Sequence, residues 1–300
     1  MDLGEDIREF AVNSLPHDPK YTSELRAKTP QELLIIYGNW RSRLVSMGPR
    51  QIRCSQALDV NPLSNDPRYK PGLDAIISKL EAGRDVTANL SRGIRHGYRP
   101  PTNAGKGDRQ DLDLLLNDWG VHHLHLSTVV EANGFVKRTG PLLFAAFKPD
   151  HAFLIDIIEH GGWTRDHVIQ TMVAEWPNED LVWELKGIIP SAKRTTESDR
   201  KALRNAHANS YFEIKGKAYM PAGGLTTAGT STRNTLSVKR LLRTLKWFEQ
   251  QLDNDPDYLK KAAAQSGITL PTNPDLHFQF FPAGGYGVIE TQTGLRFVLG

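Results

Sequence analysis

Cysteine is almost missing from this chain: Cys54 is the single thiol in 300 residues. One cysteine excludes an intrachain disulfide framework and any cysteine-rich zinc module, and it fits a reducing compartment. Arg53 beside it is a cation of the kind that lowers a thiol pKa, although a structural role is the expectation. Long apolar runs are missing too. Leu142-Leu-Phe-Ala-Ala-Phe147 is among the longest, far short of the roughly 20 apolar residues of a membrane span. The opening Met1-Asp-Leu-Gly-Glu-Asp is acidic and has no apolar signal region. The expectation is a soluble cytoplasmic protein with no membrane partner. Excess charge of either sign is small: 37 basic against 34 acidic residues give +3. That balance permits nucleic-acid contact without demanding it. No internal repeat, heptad, Walker pattern or dinucleotide fingerprint is present.

What is present supports a folded chain. An apolar fraction of 39% with 24% charged residues allows a real core. The pattern predicts an α+β protein: a central antiparallel sheet flanked by an N-terminal helical region and a C-terminal α+β region. Segments 1–109, 110–190 and 191–300 carry these parts, with polar stretches at 102–109 and 193–201 as candidate boundaries. Thr29-Pro30-Gln31-Glu32 is a capping box that starts a helix through Trp40. A second helix is expected from Gly72 to Ala82. Strands are expected at 121–127, 135–138, 142–147 and 152–159, followed by a helix capped by Thr164 and stopped by Pro177. Downstream come a strand at 181–185, a hairpin turning at Lys215-Gly216, a basic helix from Leu236 to Leu252 and a shorter one at 257–265. Three closing strands lie near 277–281, 286–291 and 295–299.

Histidine is the residue in excess locally: six of the ten lie between 122 and 167, three of them in Val121-His122-His123-Leu124-His125-Leu126-Ser127. Imidazole moves protons near neutral pH and also binds metals. On a strand, His123 and His125 share one face about 7 Å apart, while Leu124 and Leu126 point to the core with His122, which reads as structural. The same alternation puts Asp156 and His160 opposite Phe153, Ile155 and Ile157. If the strands pair in register, His123, His125, Asp156 and His160 converge on one concave surface. Metal-free RNA cleavage would use the three histidines as acid and base, with Arg138, Lys137 or Lys148 for phosphate charge. The alternative is hydrolysis by a divalent metal held by His123, His125 and Asp156. His151 and His167 read as solvated. Asp118-Trp119-Gly120 reads as a tight turn fixing the histidine strand.

Asp118–Ser127 followed by Gly140-Pro-Leu-Leu-Phe-Ala-Ala-Phe-Lys-Pro-Asp-His-Ala-Phe-Leu-Ile-Asp-Ile-Ile-Glu-His160 resembles the strand pattern of the small RelE/HigB-type ribonuclease toxins. A polar strand is followed by an apolar return strand ending in histidine. The resemblance implies RNA cleavage, growth arrest or phage defence, and a regulatory or antitoxin partner. The chain is longer than a free-standing toxin of that kind, and Glu159-His160-Gly161-Gly162 stands where the fold usually carries a basic tail. His125-Leu126-Ser127 also resembles the H-x-[ST] element of two-histidine phosphoesterases, without a second such element.

Two basic regions complete the reading. The Gly/Thr loop 223–234 and the following helix offer Arg233, Lys239, Arg240 and Arg243 to nucleic acid, RNA rather than DNA. Arg41, Arg43, Arg50 and Arg53 form a second candidate patch with Tyr37 and Trp40 for stacking. The non-enzymatic alternative is a nucleic-acid-binding or protein-interaction module whose histidines only pack.

Overall fold

The computed structural model describes residues 2–101, 109–190, 195–255, 257–265, 267–281 and 285–300. Most of the expected boundary stretch 102–109, and residues 193–194 of the other, lie outside the described residues. In chain order the helices are α1 (Leu3–Ser14), α2 (Thr22–Arg26), α3 (Pro30–Ser42), α4 (Gln56–Val60), α5 (Lys70–Glu81), α6 (Leu114–Trp119), α7 (Asp166–Glu175), α8 (Glu197–Asn205), α9 (Thr232–Asn254) and α10 (Tyr258–Gln265). The strands are β1 (Gln51–Cys54), β2 (His122–His125), β3 (Pro141–Phe147), β4 (His151–Glu159), β5 (Val182–Glu184), β6 (Phe212–Ile214), β7 (Lys217–Pro221), β8 (Leu276–Phe280), β9 (Tyr286–Glu290) and β10 (Arg296–Val298). The fold is α+β. It divides into two compact units: residues 1–38 with 234–300, and residues 39–233. The segment boundaries read from composition, near 109 and 190, both fall inside the second unit.

The second unit is built on a four-stranded sheet of order β1-β4-β3-β2. The three strands β2, β3 and β4 are antiparallel, as the apolar runs and the Lys148-Pro149-Asp150 turn predict. β1 was not expected. It adds to β4 in parallel, Gln51 opposite His151 and Cys54 opposite Leu154. Its four residues Gln-Ile-Arg-Cys carry too little alternation to announce a strand. The expected strand at 135–138 is reduced to one bridge, Val130 to Val136, around the Asn133-Gly134 turn. A bulge between Phe144 and Ala145 leaves Ile155 without an opposite residue, and it resets the alternation of β4. Phe153, Ile155 and Ile158 therefore face one side, and Leu154 and Ile157 the other.

Both sides of this sheet are covered, which corrects the expectation of an open histidine face. On one side Leu124, Leu126, Leu143, Ala145, Leu154 and Ile157 pack against Leu58 of α4 and Leu73, Ile76 and Leu80 of α5. On the other, Val121, Leu142, Phe144, Phe153 and Ile158 meet Leu115 and Trp119 of α6, Val168, Ile169 and Met172 of α7, and Phe212 of β6. A sheet buried on both faces reads as near-continuous apolar runs, and Leu-Leu-Phe-Ala-Ala of β3 is such a run. α7 begins at Asp166 with Arg165 at the N-cap position and no side-chain cap bond, so Thr164 does not cap it.

The first unit gathers both ends of the chain. α1, α3, α9 and α10 pack on the antiparallel sheet β10-β9-β8 through Leu3, Ile7, Leu34, Val238, Leu241, Leu245, Phe248, Phe278 and Val288. The capping box of α3 is formed: Thr29 Oγ1 accepts from Glu32 N at 3.3 Å, and the Glu32 carboxylate accepts from Thr29 N at 2.8 Å. Among the described residues no helix is long and apolar enough to cross a membrane.

Candidate functional site

A cavity of about 370 Å³ opens beside the free edge of β2. Its wall includes His122, His123, Asp113, Trp163, Arg43, Lys201 and Arg204. The elements that present these groups have local causes. Asp113 N-caps α6, its Oδ1 accepting from Leu116 N at 3.0 Å. Gly120, at φ 73°, ends that helix in the left-handed conformation glycine tolerates. The chain reverses there and runs directly into β2. Asp113 is thereby brought back over the histidine strand, with Oδ2 3.8 Å from His123 Nδ1. That separation is longer than a hydrogen bond. Among the described residues His123 Nδ1 has no other partner.

Trp163 lies between two histidines. Its ring meets the His123 ring edge-on at 4.9 Å and the His160 ring at 5.1 Å, and it stacks on Phe144 at 5.7 Å. The indole follows the Gly161-Gly162 pair that ends β4, where the chain turns back over the sheet.

The cationic side of the cavity is partly buried. Arg204 of α8 is 5% exposed. Its Nε donates to Asp118 Oδ2 at 2.8 Å and its Nη1 to the Trp163 carbonyl, while its Nη2 has no partner. The guanidinium also lies 4.3 Å from the Trp119 ring centroid. Burial pushes the Asp118 carboxyl above its ordinary pKa, against the pull of Arg204. Arg43 donates to the Gly93 and His96 carbonyls and leaves its Nε unpaired. Lys201 is exposed. The Arg204 guanidinium is thus a fixed positive charge in the cavity wall, held by hydrogen bonds and largely desolvated.

The sequence-predicted residues separate into three places. His123 and His160 flank Trp163. His125 shares their sheet face but is 6% exposed, and its Nδ1 accepts from Thr139 N at 3.3 Å. Burial, reinforced by the His123, Arg138 and His160 charges, depresses its pKa to about 4. It is neutral at pH 7. His122 donates from Nε2 to the Ser42 carbonyl at 3.1 Å, and burial depresses it to about 4 as well, against the pull of Asp113.

Asp156 is turned elsewhere. It accepts from Asn61 Nδ2 at 2.6 Å and from His167 Nε2 at 2.9 Å. Burial raises its pKa, but these bonds outweigh burial and hold the carboxyl below its ordinary value. His123 lies opposite Phe144, and Phe144 opposite Asp156, so a whole strand separates Asp156 from His123. His167 is thus a hydrogen-bond partner of Asp156 and not simply solvated. Among the described residues no three His, Cys, Asp or Glu side chains converge as a metal-ligand set.

The predicted cations also divide. Arg138 is exposed near His125. Lys148 is paired with Glu179 at 3.0 Å, so its charge is not spare for phosphate. Lys239, Arg240, Arg243 and Arg233 lie exposed along α9. The second expected patch is not formed. Arg43 is buried, Arg50 donates to the Lys148 and Gly48 carbonyls, and Arg53 pairs with Glu179 at 2.6 Å. Cys54 is exposed, and partial burial with the Asp59 and Glu81 charges pushes its thiol up, opposite to the effect expected of Arg53.

Sequence reading missed Asp113, Trp163, Lys201 and Arg204. Asp113 had a signal, since an Asp directly before Leu-Leu-Leu is an N-cap pattern. Arg204 had none, because its partners lie 86 and 41 residues away in the chain.

The chain is an α+β protein with a mixed-charge cavity walled by an Asp–His pair and buried arginines. No protein-family model, curated protein or solved structure matches it.

Proposed function

We propose that this cavity is a ribonuclease site working without metal. The observation that carries the reading is the His123–Asp113 pair at 3.8 Å on the wall of a cavity that Arg204 and Lys201 also line. Asp113 orients the ring so that His123 Nε2 meets substrate. There it takes the proton of a ribose 2′-OH as that oxygen attacks the adjacent phosphorus. The P–O5′ bond breaks as the leaving oxygen takes a proton; the donor in this reading is His160, which does not line the cavity and stands at its edge across the Trp163 ring. The products are a 2′,3′-cyclic phosphate and a 5′-hydroxyl. Arg204 and Lys201 supply positive charge where the phosphorane oxygens gain negative charge. Trp163 offers a face for a base to stack on. His122 and His125, both near pKa 4, are too weakly basic to hold the proton a general acid must donate at pH 7. The reaction class agrees with the RelE/HigB-type resemblance, and a toxin-like role in the cytoplasm with a neutralising protein partner belongs to the same proposal.

The test uses wild type, His123→Ala and His160→Ala on a single-stranded RNA, with and without EDTA, and on the same strand made of deoxynucleotides. Cleavage by wild type only, insensitive to EDTA and leaving cyclic phosphate ends, is expected. Each substitution should slow it about 10²–10⁴-fold, the usual contribution of a general acid or base. Undiminished cleavage by His123→Ala, or cleavage of the deoxy strand, overturns the assignment.

A further inference from the structure

α9 carries a face that its own unit leaves open. From Thr232 to Phe248 the helix contains Arg233, Lys239, Arg240, Arg243 and Lys246 and no acidic residue. Val238, Leu241, Leu245 and Phe248 are buried in the first unit's core. At 3.6 residues per turn the exposed positions 233, 236, 239, 240, 243, 246 and 247 fall within an arc of about 140° on the opposite side, with exposed Ser237 about 40° beyond it. Two apolar side chains lie among these cations: Leu236 at 50% exposure and Trp247 at 46%. Among the described residues Lys239, Arg240, Arg243 and Lys246 form no salt bridge.

Over Thr232–Phe248, before Glu249 and Asp253 of the last turns, this face combines clustered cations with an exposed indole and no carboxylate, which fits one kind of partner. We propose that this face of α9 binds single-stranded RNA, the cations contacting successive phosphates and Trp247 stacking on an unpaired base. Clustered positive charge releases counterions from a polyanion whatever its sequence. The exposed indole favours a single strand over a duplex, whose base faces are already stacked. An acidic membrane is the poorer fit. Amphipathic helices enter a bilayer with their apolar face, and the apolar face of α9 is already in the core. The choice of RNA over DNA rests on the ribonuclease reading of the second unit; the surface itself does not.

The test is fluorescence anisotropy with a labelled oligouridylate, the matching oligodeoxythymidylate, an RNA duplex and phosphatidylserine vesicles. The full chain carries His123→Ala, so that binding is read without cleavage; a failed cleavage assay therefore leaves this measurement standing. Tightest binding to the single-stranded RNA is expected, weakening steeply with salt. Arg240→Glu with Arg243→Glu should weaken it at least tenfold and flatten the log–log salt slope by about 1.4, at about 0.7 per lost phosphate contact. Trp247→Ala should cost about fivefold or more, the low end for one stacked base. Circular dichroism melting should be unchanged, since all three positions are exposed. RNA affinity unaffected by the double substitution overturns the proposal. So does equal or tighter binding to the duplex or the vesicles, whereas equal binding to the deoxy strand overturns the choice of RNA alone, the part that rests on the ribonuclease reading.

Discussion

A few histidines on one short strand have been driven to different fates by a few ångströms of placement. His122, half-buried, and His125, buried, are both held neutral, each with a pKa near 4 against an ordinary 6.5. In the unfolded chain both rings bind a proton at a pH where the folded rings do not. Their contribution to stability is therefore fully present above pH 6.5 and is lost as the pH falls towards 4. At 1.36 kcal/mol per unit the penalty at pH 4 is on the order of 2–3 kcal/mol for each ring. Urea unfolding at pH 7.5 and 4.5 should show that loss. His125→Gln, whose side-chain oxygen can still accept from Thr139 N, should show a shallower fall. An identical fall would sink the assignment for His125. The same residues mark what sequence could and could not tell. That His123 and His125 share a face follows from strand geometry alone. That His125 is buried and useless as an acid, and that Asp156 is committed to His167, depends on what covers each face, which no local pattern encodes.

At the scale of elements, the apolar strands β3 and β4, the capping box of α3 and the hairpin of β6 and β7 were legible because each rests on contacts close in sequence. β1 and the bulge in β4 were not. β1 is a strand only because β4 offers it a parallel edge, and the bulge is visible only once β3 and β4 are paired. The packing of α5 on the histidine strand is a similar long-range requirement. A Cβ added to Gly72 would fall on the backbone carbonyl of Leu126, immediately after β2. Helix propensity alone would make Gly72→Ala stabilising by up to about 1 kcal/mol. The close approach reverses that sign, and a loss of about 1–3 kcal/mol is expected, as for other overpacked sites. A lowered melting temperature supports the contact, whereas a raised one would mean that α5 can withdraw from the sheet without cost.

For the whole molecule, the chain's path assigns its parts to different units in a way composition does not announce. Residues 1–38 find their core among residues 234–300, while 39–233 form a unit with two apolar layers of their own. The two chain crossings fall within α3 and at the start of α9, helices whose amphipathic patterns continue across the boundary without a break. The first is marked by no turn, and the second directly follows the Gly/Thr loop 223–234, which reads as a surface loop and not as a boundary. The arrangement has a consequence for dissection. Fragment 39–233 keeps every residue of the two buried layers around its sheet and should unfold cooperatively on its own, with the candidate cavity included. Fragment 1–233 adds α1 and most of α3 without the α9, β8 and β9 residues that bury Leu3, Ile7 and Leu34. It should therefore expose those side chains, bind a hydrophobic dye more strongly and aggregate more readily than the shorter fragment. Equal dye binding by the two fragments would mean that the chain's first 38 residues bury those side chains without the C-terminal segment.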